Sequence, residues 1–141
     1  MATYNKFQAF VENLAEKVHN LGADTLKVML TNTAPVNTNS VKGDLTEISA
    51  GNGYSAGGTA ATISSSAQAS GTYKLVLADV VFTALGGSIG PFRYAALYND
   101  TPTSPADPLI GFWDYGSSIT LSAGESFTVD FDPTNGVLQL V

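Results

Sequence analysis

Near the N-terminus, apolar residues recur at three- and four-residue steps: Phe7, Phe10, Val11, Leu14, Val18 and Leu21. That spacing draws one apolar stripe along a helix and predicts an amphipathic helix over residues 5–21. Asn5, with Gln8 three residues on, resembles a capping box. Gly22 stands where a left-handed stop is wanted. The stripe is suited either to one face of the chain's own β-core or to a neighbouring subunit, and the spacing does not separate the two.

After Gly22 the period changes to two. Leu26, Val28 and Leu30 alternate with Lys27, Met29 and Thr31, which predicts a half-buried strand. Residues 72–83 (TYKLVLADVVFT) are apolar at nearly every position and change phase near Ala78-Asp79, the mark of a bulge or of a strand covered on both faces. Further strands are expected over 92–98 (after Pro91), 109–115 and 119–121, then through Phe127, Val129 and Phe131, and last up to Val141. Residues 49–71 are almost entirely Ala, Gly, Ser and Thr and read as irregular, with a short strand at 59–63. Three prolines make 101–108 a stiff loop. Seven or eight short strands at regular spacing predict a mainly β fold: a jelly-roll-like sandwich over about 25–141 with one N-terminal helix. The 141 residues are expected to form a single domain.

Composition narrows the chemistry. There is no cysteine and one histidine, which leaves no thiol nucleophile, thiolate zinc site or histidine relay. The net charge of −6 argues against nucleic acid or an anionic membrane as partner. Its placement is uneven. Acidic and basic residues balance through Arg93, after which Asp100, Asp107, Asp114, Glu125, Asp130 and Asp132 stand without any lysine or arginine. That end is either a solubilising surface or one facing a basic partner. The start MATYNKFQAF has no basic segment followed by an unbroken apolar stretch, so synthesis in a cytoplasm is expected. No apolar run approaches the ~18 residues that span a bilayer.

Few residues stand out as chemical candidates. His19 reads as a surface or packing residue. No serine sits in a Gly-x-Ser-x-Gly elbow, and the Gly51–Gly58 glycines lack the spacing and lysine of a phosphate loop. Asp130, Asp132 and Asn135 faintly resemble a calcium loop whose glycine falls one place late, so a turn is expected there rather than a metal site. No catalytic residue, metal or cofactor is therefore expected. The aromatics Tyr94, Tyr98, Phe112, Trp113 and Tyr115 cluster in the C-terminal half. Phe112 and Trp113 point to opposite faces of a strand, so one is expected in the core and the other exposed or at an interface, as an anchor for a protein or a platform for a sugar.

Three elements within residues 92–131 carry a resemblance: Arg93–Asn99 (RYAALYN), Pro108–Ser118 (PLIGFWDYGSS) and Thr120–Phe131 (TLSAGESFTVDF), with a looser match through Gly53–Ser64 (GYSAGGTAATIS). This pattern is similar to small structural proteins encoded in tailed-phage genomes, the cementing or decoration proteins of short-tailed phage heads. The resemblance implies a non-enzymatic virion protein on the capsid exterior, made in the bacterial host. Its partners would be the major capsid protein and its own copies, as homodimer or homotrimer, with neither nucleic acid nor membrane. Head-fibre or tail-associated proteins share such β-modules, and a carbohydrate-binding adhesion module using the Trp113 cluster is the rival reading. The expected contact residues are Met1, Ala2, Thr3, Tyr4 and Asn5 before the helix, then Tyr54, Ser55, Ala56, Gly57 and Gly58, and the aromatics Trp113 and Tyr115.

Overall fold

The computed structural model describes residues 2–141. As expected, the chain is mainly β, a sandwich with a single helix; 47% is strand and 8% helical. In chain order the elements are β1 (Asn5–Lys6), α1 (Gln8–Ala15), β2 (Leu26–Thr31), a 3-10 turn at Lys42–Asp44, β3 (Thr59–Ala61), β4 (Ile63–Ala69), β5 (Thr72–Leu77), β6 (Val80–Thr83), β7 (Ile89–Asn99), β8 (Leu109–Leu121), β9 (Ser126–Val129) and β10 (Leu138–Leu140). One layer is a five-stranded antiparallel sheet in the order β1-β8-β7-β2-β3. A three-stranded sheet, β10-β5-β4, and the pair β6-β9 supply the inner faces opposite it.

The main core gathers Leu26, Val28, Leu30, Ala95, Leu97 and Ile110 from the large sheet with Leu75, Leu77, Val80, Phe82, Val129 and Leu138 from the smaller ones. The large sheet is also covered on its other face, where Phe7, Met29, Ala96, Tyr98 and Leu109 form a second cluster. The expected half-buried β2 is therefore covered on both sides at Met29, and Lys27 escapes to an ion pair with Asp100 at 3.0 Å.

The helix is shorter than its apolar spacing predicts. It runs eight residues, begins after an uncapped Phe7, and leaves Asn5 outside as part of β1, so the expected Asn5–Gln8 capping box is absent. It stops at Glu16, not before Gly22. Lys17 takes a left-handed φ of 68°, and the N–H groups of Lys17 and Val18 return to the carbonyls of Leu14 and Asn13 at 3.4 and 2.8 Å. This is a Schellman closure with lysine at the left-handed position. Leu21 keeps the helical spacing because the turn that follows folds back onto the core, whereas Val18 is only half-buried. Phe10 enters the main cluster and Leu14 packs against it, while Val11 of the same stripe is 52% exposed.

Three strand expectations change. The phase shift at Ala78-Asp79 is neither a bulge nor a doubly covered strand; there the chain crosses from the three-stranded sheet to the β6-β9 pair. The corner is held by Ala78 N–H to the Thr62 carbonyl and by Phe131 N–H to the Asp79 carboxylate, both 2.9 Å. Residues 109–115 and 119–121 belong to one long strand, β8, with Tyr115–Ser118 bulging between its pairings to Tyr94 and Phe92. The second half of the small-residue stretch forms strands too, β3 and β4, because short side chains suit thin edge strands.

Candidate binding groove

Pairing of Asn5 with Phe112 and of Lys6 with Gly111 lays the N-terminal arm along the outer edge of β8. Tyr4 then rests over that strand. A Cβ at residue 111 would stand 2.1 Å from the Tyr4 ring, so only glycine admits this approach. The Tyr4 ring meets Trp113 with centroids 5.6 Å apart, and Trp113 meets Phe131 edge-on at 5.5 Å. Tyr115 lies 5.4 Å from Phe127, which packs at 5.1 Å on Phe92 of the core. Burial pushes the Tyr4 hydroxyl up to about 12, so it stays protonated at neutral pH.

These rings border a groove of ≈ 610 Å³ at one margin of the sandwich. Its aromatic lining includes Tyr4, Tyr94, Trp113, Tyr115, Phe127 and Phe131, with Asp130 and Asp132 on its acidic side. Arg93 also reaches it. That guanidinium donates to both Asp114 oxygens at 2.7 and 3.0 Å and lies 5.4 Å over the Tyr94 ring. Hydrogen bonds from Arg93 and from Gly116 N–H hold the Asp114 carboxyl below the usual carboxylate range. Phe112 and Trp113 do point to opposite faces: Phe112 packs on Phe7 at 5.1 Å in the second cluster, and Trp113 on the main one.

Two of the three expected contact segments meet here. Ala2, Tyr4, Trp113 and Tyr115 all line the groove; Thr3 is exposed beside them and Asn5 is held on β8. Met1 lies outside the described residues. The 54–58 segment lines no part of the groove. Tyr54, expected at an interface, is 3% exposed and belongs to the core. Its hydroxyl accepts from Leu30 N–H at 3.1 Å and donates to Glu47 at 2.7 Å. Gly57 donates its N–H to Glu47 at 2.6 Å and accepts from the Tyr98 hydroxyl at 2.6 Å, and Gly58 is seated on the β2 backbone. Small residues do bring backbone against backbone here, but within the same chain. Only Ser55 and Ala56 of that segment turn outward.

Sequence reasoning missed Glu47. It ties Tyr54, Gly57 and Lys42 (2.9 Å) together and staples the 41–58 excursion to the sheet. Burial alone would raise its carboxyl; the hydrogen bonds from Lys42, Tyr54 and Gly57, with the Lys42 charge, outweigh that and keep it low. The available signal was its isolation, as the lone carboxylate between Asp44 and Asp79.

His19 lies beyond the helix and is a packing residue, 5% exposed, with its ring 5.2 Å from Phe10. The Asn99 amide is oriented by Thr101 N–H on its oxygen and by Asp24 on its nitrogen, so that nitrogen donates to His19 Nδ1 at 3.1 Å. The imidazole proton then sits on Nε2, which has no partner among the described residues. Near the C-terminus, the Asp132 carboxylate accepts from the N–H groups of Thr134 and Asn135 at 2.7 and 2.8 Å and from the Asn135 amide, closing a turn. Among the described residues no group of three or more His, Asp or Glu side chains is placed to hold a metal ion, and no helix is long and apolar enough to cross a membrane.

No protein-family model matches this chain, and searches of the curated proteins and of the solved structures find no match either.

Proposed function

We propose that this chain is a non-enzymatic structural protein of a phage virion. It binds the capsid exterior and cements neighbouring major capsid protein subunits, working with further copies of itself. The observation that carries the reading is the aromatic groove built jointly by the N-terminal arm and β8 on a rigid sandwich. Rings that offer large area at low entropic cost are the usual anchors of protein contacts. The RYA, WDYGSS and FTVDF elements that resemble phage decoration proteins supply Tyr94, Trp113, Tyr115, Phe127 and Phe131 of this groove.

Cryo-electron microscopy of purified virions tests the proposal. Uniform density for the sandwich over the head lattice, at hundreds of copies, is the expected result. Density confined to tail or vertices would replace cementing by a head-fibre or tail role, and absence from virions would overturn the reading. A second reading, a carbohydrate-binding adhesion module, is favoured by one observation: Tyr115 is 53% exposed beside Trp113. Saturable binding to host-surface glycans by a protein that does not coat heads would establish that reading instead.

A further inference from the structure

Inside this chain one arrangement occurs twice. Lys42 lies 5.9 Å over the Tyr98 ring and pairs with Glu47, and Arg93 lies 5.4 Å over the Tyr94 ring and pairs with Asp114. In each, a cation meets the electron-rich face of a ring and a carboxylate together. The groove repeats the ring and carboxylate components without a cation to complete them. Its walls are Tyr4, Trp113, Phe127 and Phe131, and it carries Asp130 and Asp132. The one cation that reaches it among the described residues, Arg93, is already engaged bidentately by Asp114. Neither Asp130 nor Asp132 forms an ion pair among the described residues, and both belong to the end of the chain that carries its net charge of −6.

We infer that the groove is the seat of a lysine or arginine side chain presented by a capsid subunit. The aliphatic stem lies along the rings, as such stems do on apolar surface. The charged head lies over an aromatic face and faces the Asp130 carboxylate, with Asp132, whose oxygens hold the Thr134–Asn135 turn, adding its charge from behind; the attraction strengthens as water leaves the groove. A leucine-like anchor fills the same space but leaves the Asp130 carboxylate without a partner, and a neutral sugar offers that carboxylate hydroxyl donors but no opposite charge. The acidic side also steers a basic segment towards the groove before contact. This inference rests on the proposed capsid role and names the chemistry of its contact.

Trp113 is the single tryptophan, so its fluorescence reports on the groove directly. The intact protein is titrated with N-acetyl-arginine amide and N-acetyl-lysine amide, and in parallel with N-acetyl-leucine amide and maltotriose. The expected result is a saturable change with the two cationic amides, roughly threefold or more tighter than with the leucine amide. Higher salt should weaken it. Asp130→Asn should weaken it by a similar factor; the Asp130 side chain makes no hydrogen bond to the described chain, so the variant is expected to fold, and an unchanged thermal midpoint verifies this. Equal binding of the leucine amide, binding of maltotriose alone, or no saturable change with either cation up to roughly 0.1 M would overturn the inference. Failure here by a protein that still coats heads leaves the proposed function standing. Cation binding by a protein absent from heads keeps the groove chemistry and removes the capsid as its source.

Discussion

Replacing Gly58 by alanine puts a methyl group where the fold has a backbone. Gly58 has a φ of +80°, and a Cβ there would stand 1.8 Å from the Val28 carbonyl oxygen and 2.7 Å from its carbon. The left-handed conformation alone costs an L-residue about 1–2 kcal/mol. The clash cannot be relieved by rotating a side chain, because the opposing atoms are main chain of β2. The cheapest relief is to peel β3 away, which breaks its pairing of Thr59, Ala60 and Ala61 with Val28, Lys27 and Leu26. Losing two or three such bonds, at about 1 kcal/mol net each, brings the sum to about 3–5 kcal/mol. For a domain of this size that is a fall of roughly 10 °C in Tm. Ala56→Leu is the control two residues away: its side chain is exposed, so the change is expected to stay within about 0.5 kcal/mol. Urea unfolding followed by far-UV circular dichroism and by Trp113 fluorescence measures both. A Gly58→Ala loss below about 1 kcal/mol, or an Ala56→Leu loss of the same size as Gly58→Ala, would refute the assignment of this glycine to an internal strand contact.

Three further outcomes are expected. Glu47→Ala strands the Tyr54 hydroxyl donor, the Gly57 N–H and the Lys42 ammonium together, and should cost about 2–4 kcal/mol in chemical unfolding, with Glu47→Gln milder because it keeps an acceptor. Because the folded Glu47 carboxyl is held below its ordinary value of 4.5, its contribution is present above that pH and is lost as the pH falls below it; the wild type should therefore weaken there more steeply than Glu47→Gln. His19 is lowered from 6.5 by burial, with Asp24 opposing, and the Asn99 amide already occupies its Nδ1. The unfolded chain then takes up the proton first, so stability is full above about 6.5 and falls as the pH drops below it. Thermal melts between neutral pH and pH 5.5 should show a slope that His19→Phe flattens, and an unchanged slope would remove His19 as its source.

What the sequence determined by itself is what neighbours along the chain decide. Period-two alternation at Leu26–Leu30 and in Phe127 and Val129 sets two faces of a strand, and a mainly β sandwich with one helix follows from such segments punctuated by glycine and proline. Phe112 and Trp113 had to face opposite ways for the same reason. Tertiary structure decided the rest, because it depends on partners distant in the chain. The helix ends at Glu16 because the left-handed Lys17 turn lets Leu21 fold onto the core, and apolar spacing cannot distinguish a longer helix from a turn buried on the same side. Tyr54 looked like a free aromatic among small residues until Glu47 and Leu30 claimed its hydroxyl. Gly57 and Gly58 look alike whether they face a partner or their own sheet. The groove was divided in the sequence between Tyr4, Trp113 and Phe131, more than a hundred residues apart at the extremes. It exists because Gly111 lets the arm lie across β8, an approach set by the register of the sheet and not by any local pattern.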